Sequence, residues 1–281
     1  MPSTASARVL PGFSLSLGYA LSYLSLIVLI PLAACALKAS GLSWEAFARA
    51  VWMPQARSAY LLTFGASLVA ALVNAAIGFV IAWVLVRYTF PLKRLFDALV
   101  DLPFALPTAV AGLVYASLYS QEGWLGQFLL PLGLDDVTYN RLEIVLVLTF
   151  TGLPFVVRTL QPVMADLDAE LEEAAESLGA SRWQAFRWVI FPTLVPALLT
   201  GFTLALARAI GEYGSVVFVA TNIPGETQIA PVLIVARLEA SSGGGFQYEE
   251  AAALALVLLL MSFTLLAAVN LLQRWSKRYE G

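Results

Sequence analysis

Histidine is absent from the 281-residue sequence, and cysteine occurs only once, as Cys35. Without histidine the chain cannot form a Ser–His–Asp triad, a histidine metal site or a histidine proton relay. A single cysteine forms no disulfide within the chain, and Cys35 lies in an apolar stretch, where we expect a small buried side chain. A metal centre would need carboxylates alone, and the apolar stretches do not supply such a cluster.

Charged residues are also scarce. They make up 12% of the chain, against 60% hydrophobic residues, whereas soluble domains carry about 25% charged residues. This composition predicts an integral membrane protein without a separate soluble domain. The net charge of -3 and the lack of a basic patch argue against a nucleic-acid partner. The sequence has no GxxxxGK[ST] loop, so an ATP-driven process would require a partner that binds ATP.

Six transmembrane helices are predicted by the charge-free runs, because a helix needs about 20 apolar residues to cross the bilayer core. The expected fold is therefore that of an all-α integral membrane protein. The first three spans lie within residues 15–37, 58–86 and 102–121, and the last three begin near Ile144, Leu194 and Ala251.

The fourth span is unusually short in apolar residues. Only residues 144–157 are free of charge before Arg158, and Gly152 and Pro154 interrupt the run. Such a helix is not expected to face lipid along its whole length, so we predict that it lies inside the bundle.

The distribution of Lys and Arg predicts the orientation, since cytoplasmic loops are enriched in them. With both termini inside, the cytoplasmic side would hold Arg8, Arg87, Lys93, Arg94, Arg158, Arg182, Arg187, Arg274, Lys277 and Arg278. The outer side would hold only Lys38, Arg49, Arg57, Arg141 and Arg237. This asymmetry favours cytoplasmic N- and C-termini.

The chain divides into three parts on these patterns. Residues 1–57 would hold the first span and a helix lying on the outer membrane surface, for which residues 43–53 have the aromatic spacing and Ser43 the capping group. Residues 123–130 are a second candidate for a surface helix. Residues 58–272 would form the core with five spans, and residues 273–281 a short cytoplasmic tail.

The longest polar stretch, residues 166–192, is predicted to form two helices on the cytoplasmic side. Asp166 or Asp168 can cap the first helix, whose first turns are rich in glutamate. Gly179 is expected to end that helix, because glycine readily adopts the left-handed conformation found at helix C-termini.

The second helix of this stretch is expected to start at Ser181, since Gln184 completes a capping box, and to end near Pro192. Such a pair of helices between two spans is suited to binding by another protein. A solvated loop with two short helices is the alternative on pattern alone.

Arg208 and Glu212 are the main charged residues inside the predicted spans. Their spacing of four would place both on one helix face, where they can form an ion pair. In one interpretation the pair only stabilises the bundle; in the other it lines a translocation pathway and Arg208 attracts an anion. Tyr213 and Ser215 would add polar groups nearby.

Prolines mark the third span. Pro103 and Pro107 each remove a helical hydrogen bond, which inside a membrane requires cover by protein or water. We therefore expect a kinked helix near the pathway, with Thr108 as a lining residue. Asn74 and Thr149 are further lining candidates, although hydrogen bonding between helices would explain them equally well.

The polar stretch carries a spaced motif. Glu173–Ala175 is followed after three residues by Gly179, after nine more by Val189, and then by Phe191–Pro192. This resembles the EAA loop of ATP-binding-cassette (ABC) importer permeases, in which Ile and Leu are commoner than Val189 and Phe191. The resemblance implies that the ATPase subunit is contacted by Glu173, Ala174, Ala175, Gly179, Phe186 and Pro192.

Further stretches between about residues 61 and 219, including LTFGASL, VDLPFALPTAVAG, GLPFVVRTLQPV and LARAIGEYGSVVF, resemble the sulfate/thiosulfate branch of these permeases. The resemblance implies a MetI-like type I importer fold in the bacterial inner membrane, and transport by alternating access. It implies two copies of a cytoplasmic ATPase that binds ATP-Mg, a second homologous permease subunit and a periplasmic sulfate- or thiosulfate-binding protein. The subunit itself would hold no cofactor, metal or catalytic residue.

Other functions stay open at this point. Molybdate and tungstate permeases look similar between Arg208 and Gly214, so that region indicates a tetrahedral oxyanion more securely than sulfate. A membrane scaffold that anchors an ATPase is an alternative from another class, disfavoured by the polar, proline-broken spans. A polytopic enzyme is the least favoured, because there is no histidine.

Overall fold

The computed structural model describes residues 13–120, 122–129, 140–240 and 246–277. Every regular element within these ranges is helical, which confirms the predicted all-α class. The N-terminal helices are α1 (Phe13–Leu24), continued by a π-helical turn (Ser25–Leu29), α2 (Ile30–Ala39), α3 (Trp44–Trp52), α4 (Pro54–Arg87), α5 (Lys93–Val100), α6 (Leu102–Ala105), α7 (Thr108–Tyr119) and α8 (Gly126–Leu129). The remaining helices are α9 (Arg141–Ala165), α10 (Ala169–Ser177), α11 (Arg182–Ala185), a second π-helical turn (Phe186–Ile190), α12 (Phe191–Ile210), α13 (Val216–Val219), α14 (Ala230–Ala240) and α15 (Phe246–Lys277).

Five continuous helical segments in the described ranges are long and apolar enough to cross a membrane. They correspond to the first, second, fourth, fifth and sixth predicted spans and comprise Phe13–Ala39, Pro54–Arg87, Arg141–Ala165, Arg182–Ile210 and Tyr248–Leu271.

The prediction of one kinked third helix was wrong, because the chain breaks there completely. Pro103 stands in the first turn of α6, and Leu106 and Pro107 separate α6 from the 12-residue apolar helix α7. Both prolines occupy helix starts, where a missing N–H costs little. Only α7 remains as the apolar helix of this region.

Helix α9 lies at the centre of the bundle, between α4 and α12. Its side chains Ile144, Val147, Val156, Val157 and Leu160 are all completely buried. This confirms the prediction that the fourth span lies inside the bundle.

Glycines allow the three central helices to approach closely. A Cβ atom added to Gly201 of α12 would lie 2.8 Å from the Cα of Val156, and one added to Gly78 of α4 would lie 2.9 Å from Cγ1 of the same valine. Small residues at such crossings let backbones pack by van der Waals contact, which drives helix association in lipid. The close packing of α4, α9 and α12 therefore depends on the glycines at positions 78 and 201.

The N-terminal helix is peripheral. No residue of α1 is buried, whereas α2 packs on α15, and the half-buried Cys35 thiol lies 3.6 Å from the carbonyl oxygen of Ala252. At the next helix, Ser43 caps α3 as predicted, accepting a hydrogen bond from the N–H of Ala46 at 3.2 Å. Of the described residues 123–129 in the second predicted surface helix, Gly126–Leu129 are helical.

Contacts at the two ends of the bundle agree with the grouping of basic residues in the sequence. At one end Arg87 pairs with Glu172 of α10. At the other end Arg237 pairs with Glu250 at 3.3 Å, and Nε of Arg141 donates to the carbonyl oxygen of Glu226 at 3.0 Å. We refer to these as the inner and outer ends, after the orientation that the basic residues predict.

Replacement of Gly201 with Ala is expected to destabilise the core, because the added methyl group meets the backbone of α9. Overpacking of this kind costs about 1–3 kcal/mol. The measurement is the thermal unfolding midpoint of the detergent-purified chain. Gly65→Ala is the matched control in α4, since a Cβ there meets nothing within 4 Å. Equal midpoints for the two variants would contradict the close approach of α12 and α9.

Candidate functional site

The coupling segment, as we call residues 166–192, begins with helix α10. Asp168 occupies the N-cap position, but its side chain makes no capping hydrogen bond, so only the position of the predicted cap was right. Gly179 ends the helix with φ +84°, and its N–H donates to the carbonyl of Glu176 at 2.9 Å. The predicted left-handed glycine is therefore confirmed.

The second helix of the coupling segment starts at the predicted capping box. The Ser181 N–H donates to Oε1 of Gln184 at 2.8 Å, and the Gln184 N–H donates to Oγ of Ser181 at 3.4 Å. The predicted end near Pro192 was wrong, because the helix runs without a break into α12. The π-helical turn widens the helix just before this proline, with the Phe191 N–H bonded to the carbonyl of Phe186, so that the ring is accommodated.

Phe186 fastens the coupling segment to the inner end of α4. Its ring centroid lies 5.4 Å from that of Trp83, in edge-to-face geometry, and 5.5 Å from that of Trp183. Phe79 of α4 adds a further edge-to-face contact with Phe191 at 5.8 Å. Aromatic pairs of this geometry contribute about 0.5–1.5 kcal/mol each beyond their buried area.

An ion pair adds to this attachment. The Arg87 guanidinium pairs with Glu172 of α10 and lies 5.1 Å above the Trp83 ring. The start of the coupling segment is thus held to the same end of α4 as Phe186. The segment and α4 can be expected to move together.

A groove of about 570 Å³ separates α10 from the helix that follows it, and its walls include Ala174, Ala175 and Gly179. Glu173 is exposed beside it, and Leu178 is 89% exposed. Small wall residues and an exposed leucine provide an apolar surface on a helix end, which suits contact with another protein.

The polar site inside the bundle is formed where α12 ends. The helix stops at Ile210, so Glu212 lies beyond its end, in a bend. The prediction that Arg208 and Glu212 share one face of a helix was therefore wrong. The ion pair between Arg208 and Glu212 nevertheless forms. The Glu212 side chain is only 2% exposed, whereas that of Arg208 is 33% exposed.

Glu212 also holds the bend together. One of its carboxylate oxygens accepts hydrogen bonds from both the N–H and the hydroxyl of Ser215, each at 2.9 Å. A buried carboxylate needs such partners, because its desolvation is costly. Arg208, Glu212 and Ser215 thus form one connected group.

Helix α7 lies against this bend. A Cβ atom on Gly214 would stand 2.3 Å from Oγ1 of Thr108, and one on Gly112 would stand 2.3 Å from the carbonyl oxygen of Ser215. The structure therefore brings together Thr108, Glu212 and Ser215. Tyr213 packs on the buried cluster that contains Val216.

Aromatic contacts place this site at mid-depth in the bundle. The ring of Phe104 lies 5.2 Å from that of Phe155, and Tyr115 lies 5.4 Å from Phe150. The start of α7 is therefore opposite the middle of α9.

Two predicted lining residues lie elsewhere. Asn74 is 1% exposed and faces Gly152, while the Thr149 hydroxyl donates to the carbonyl of Val145 in its own helix at 2.7 Å. None of the described contacts joins either residue to Glu212, so their part in a pathway stays a prediction.

A second ionic group, nearer the inner end, was not predicted. Arg158 of α9 binds both carboxylate oxygens of Asp101, at 2.7 and 2.6 Å, and a carboxylate oxygen of Asp97 at 2.7 Å. Gln161 donates to the same oxygen of Asp97 at 2.9 Å. The sequence features that could have indicated this group are Arg158 in the fourth span and the pair Asp97 and Asp101, spaced four residues apart just before Pro103.

This ionic group keeps Asp97 charged. The hydrogen bond from Gln161 has the largest effect and lowers the pKa of the Asp97 carboxyl, and Arg158 lowers it further against the opposing effect of burial. The Asp97 carboxyl is therefore ionised at neutral pH.

Comparison with known proteins identifies the family. The model of the family described as "Binding-protein-dependent transport system inner membrane component" matches residues 74–278, more than half of the chain. The chain belongs to this family. It is therefore a multi-pass membrane permease component of a transport system, which confirms the prediction that it is not itself an enzyme.

Two relatives match almost the whole permease. It is 47% identical to the sulfate transport system permease protein CysT of Salmonella typhimurium over 282 residues, covering 100% of both chains. It is 49% identical to CysT of Synechocystis sp. over 259 residues, covering 92% of this chain and 88% of the relative.

A solved structure supports the fold. The permease resembles a chain of a bacterial ABC transporter involved in the import of the acidic polysaccharide alginate, with a TM-score of 0.75 and 17% identity, over 93% of this chain and 94% of the other. This confirms the predicted ABC importer permease fold.

Replacement of Arg208 with Ala is expected to lower both stability and transport, because it leaves the buried Glu212 carboxylate without its cation. Loss of one partner of a buried pair costs about 3–5 kcal/mol, and less where other hydrogen bonds remain. The double variant Arg208→Ala/Glu212→Gln should regain stability, since the amide oxygen can still accept from Ser215, but should not regain transport. Thermal unfolding and solute uptake by the complete transporter measure the two effects. Normal uptake by the double variant would make the pair purely structural.

Proposed function

We propose that this permease carries sulfate or thiosulfate across the bacterial inner membrane as one subunit of an ATP-driven ABC importer. The observation that carries the proposal is the identity of 45–49% to relatives named sulfate transport system permease, two of them matched over their full length. The partly exposed guanidinium of Arg208 at mid-depth in the bundle supports an anionic solute, because a cation in that position is costly unless it has a role.

The polar site would contact the anion while it crosses the membrane. Arg208 would meet the oxyanion with those of its N–H groups that do not bind Glu212, and the Thr108 hydroxyl would add a donor from α7. Glu212 partly neutralises Arg208, so the anion would be held weakly enough to leave. A translocation pathway requires weak binding, since a solute that binds tightly would not be released.

The coupling segment would connect this permease to its motor. We propose that a cytoplasmic ATPase binds the coupling segment, which contains Glu173, Ala174, Ala175, Gly179, Phe186 and Pro192. Two ATPase copies would bind ATP-Mg, and their closure would move the coupling segments and switch the bundle between inward- and outward-facing packings. Such alternating access requires two packings close in energy.

The complete transporter would contain a second, homologous permease subunit and a periplasmic binding protein that delivers the anion. The inner end of the bundle, with Arg87, Lys93 and Arg158, would face the cytoplasm, and both termini would lie on that side. The positive-inside rule supports this orientation.

Sulfate uptake tests the proposal directly. The complete transporter, in proteoliposomes with its binding protein outside and ATP inside, is expected to accumulate radiolabelled sulfate, with thiosulfate as an effective competitor. Molybdate should compete weakly. Strong competition by molybdate, without sulfate accumulation, would favour a molybdate permease instead, and ATPase binding without uptake of any oxyanion would favour a scaffold.

Replacement of Gly179 with Val tests the coupling segment. A β-branched residue in the left-handed conformation costs about 1–2 kcal/mol, so the sharp return after α10 should be distorted while membrane insertion is retained. We expect uptake per ATP hydrolysed to fall. Gly225→Val is the matched control, since Gly225 has a similar φ of +88° and lies in the loop that Arg141 binds at the outer end. Normal uptake per ATP in the Gly179 variant would refute the coupling assignment.

A further inference from the structure

The ionic group around Arg158 links two elements that are far apart in the chain. Its guanidinium binds Asp101 through two nitrogens and binds Asp97 through both a carboxylate oxygen and the main-chain carbonyl, the latter at 2.8 Å. Gln161 joins Arg158 at 2.6 Å and Asp97 at 2.9 Å. Paired, geometrically rigid hydrogen bonds of this kind hold orientation as well as charge.

On one side the group is attached close to the coupling segment. Arg158 lies two helical turns before Ala165, where α9 ends, and only Asp166, Leu167 and Asp168 separate that end from α10. At 1.5 Å per residue, Arg158 is about 10 Å along the helix axis from the end of α9. A displacement of α10 therefore acts on the stretch of α9 that carries Arg158.

On the other side the group holds the junction between α5 and α6. Asp101 is both the last cap of α5 and the first of α6, and the proline-broken connection that follows leads to Thr108. Thr108 packs directly on Gly214 in the bend of the polar site. Among the described residues, the ion pairs that join α5 and α6 to α9 are all made by Arg158.

We propose that Arg158 is a positioning residue that transmits movement of the coupling segment, through Asp97 and Asp101, to α6 and α7 and so to the polar site. The inference rests on the proposed function, because it requires an ATPase that moves the coupling segment. The route runs from α10 through the end of α9 to the ion pairs, then through the short helix α6 to Thr108 and the Glu212 bend.

The geometry favours transmission over a static clamp. A clamp needs attachment only. This group instead joins the final turns of α9, which lead into the coupling segment, to the short helix α6, which is bounded by the junction at Asp101 and the break at Leu106–Pro107. These two ends would let α6 turn as a small lever relative to α7. The side chains of Arg158, Asp97 and Asp101 are 31%, 42% and 49% exposed, so the pairs can rearrange without stranding a buried charge.

The test compares uptake with ATP hydrolysis for Arg158→Gln in the complete transporter, reconstituted with its binding protein. We expect sulfate uptake to fall about tenfold while ATP hydrolysis changes less than about twofold, a loss within the usual range of coupling between sites. Arg158→Lys, which keeps the charge but loses the paired bonds to Asp101, should recover part of the uptake. Arg237→Gln is the matched control, because it breaks a similarly exposed ion pair at the outer end and should leave uptake per ATP unchanged.

A labelling measurement reports the movement itself. With Cys35→Ser to remove the native thiol, Ala105→Cys places a reporter on the exposed surface of α6. Its rate of reaction with a water-soluble maleimide should change when ATP and vanadate trap the transporter, and Arg158→Gln should abolish that change. A nucleotide-dependent rate that persists in the Arg158 variant would overturn the proposal.

If Arg158→Gln does not accumulate in the membrane, Asp97→Asn and Asp101→Asn each leave the arginine one carboxylate partner and carry the same test. Their double variant should lower uptake per ATP as much as Arg158→Gln does. Unchanged uptake per ATP in all of these variants refutes the role of Arg158. Absence of sulfate uptake by the unaltered transporter refutes the proposed function instead.

Discussion

A polar backbone group inside a bilayer finds no water, so every break in a spanning helix has to be covered by protein or by a wet cavity. Two such breaks, at Leu106–Pro107 and after Ile210, meet in the part of the chain that the structure describes. They cover each other, since Thr108 lies against Gly214 and Gly112 lies against Ser215. The polar site therefore exists because two interrupted helices meet in the middle of the bundle.

The rest of the fold supports that meeting point. Helices α4, α9 and α12 pack tightly around Val156 and give a rigid core, which the broken helices adjoin. At the inner end, Phe186 and the Arg87–Glu172 pair fasten the coupling segment to α4, while Arg158 ties α9 to α5 and α6. An ATPase that binds the coupling segment would thus act on well-packed elements, and the breaks at Leu106–Pro107 and after Ile210 would be the parts able to move.

Predictions from the sequence succeeded where the cause was local. The Ser43 cap, the Ser181–Gln184 box and the left-handed Gly179 each depend on residues within one helical turn, and each has the expected geometry. They failed where neighbouring structure decided the outcome: Pro192 does not end its helix because a π-helical turn accommodates it, and Glu212 lies beyond α12 because the chain bends at Gly211.

By itself the sequence determined the membrane class, the burial of the fourth span, and the capping box and glycine turn within residues 166–192, because hydropathy, charge and capping act over short distances along the chain. Only the tertiary structure decided which polar groups meet. Arg158 lies 57 residues from Asp101 and 61 from Asp97, and no local pattern specifies that pairing. The same holds for Thr108 and Gly214, whose contact follows from how α7 and α13 pack against each other and against α9.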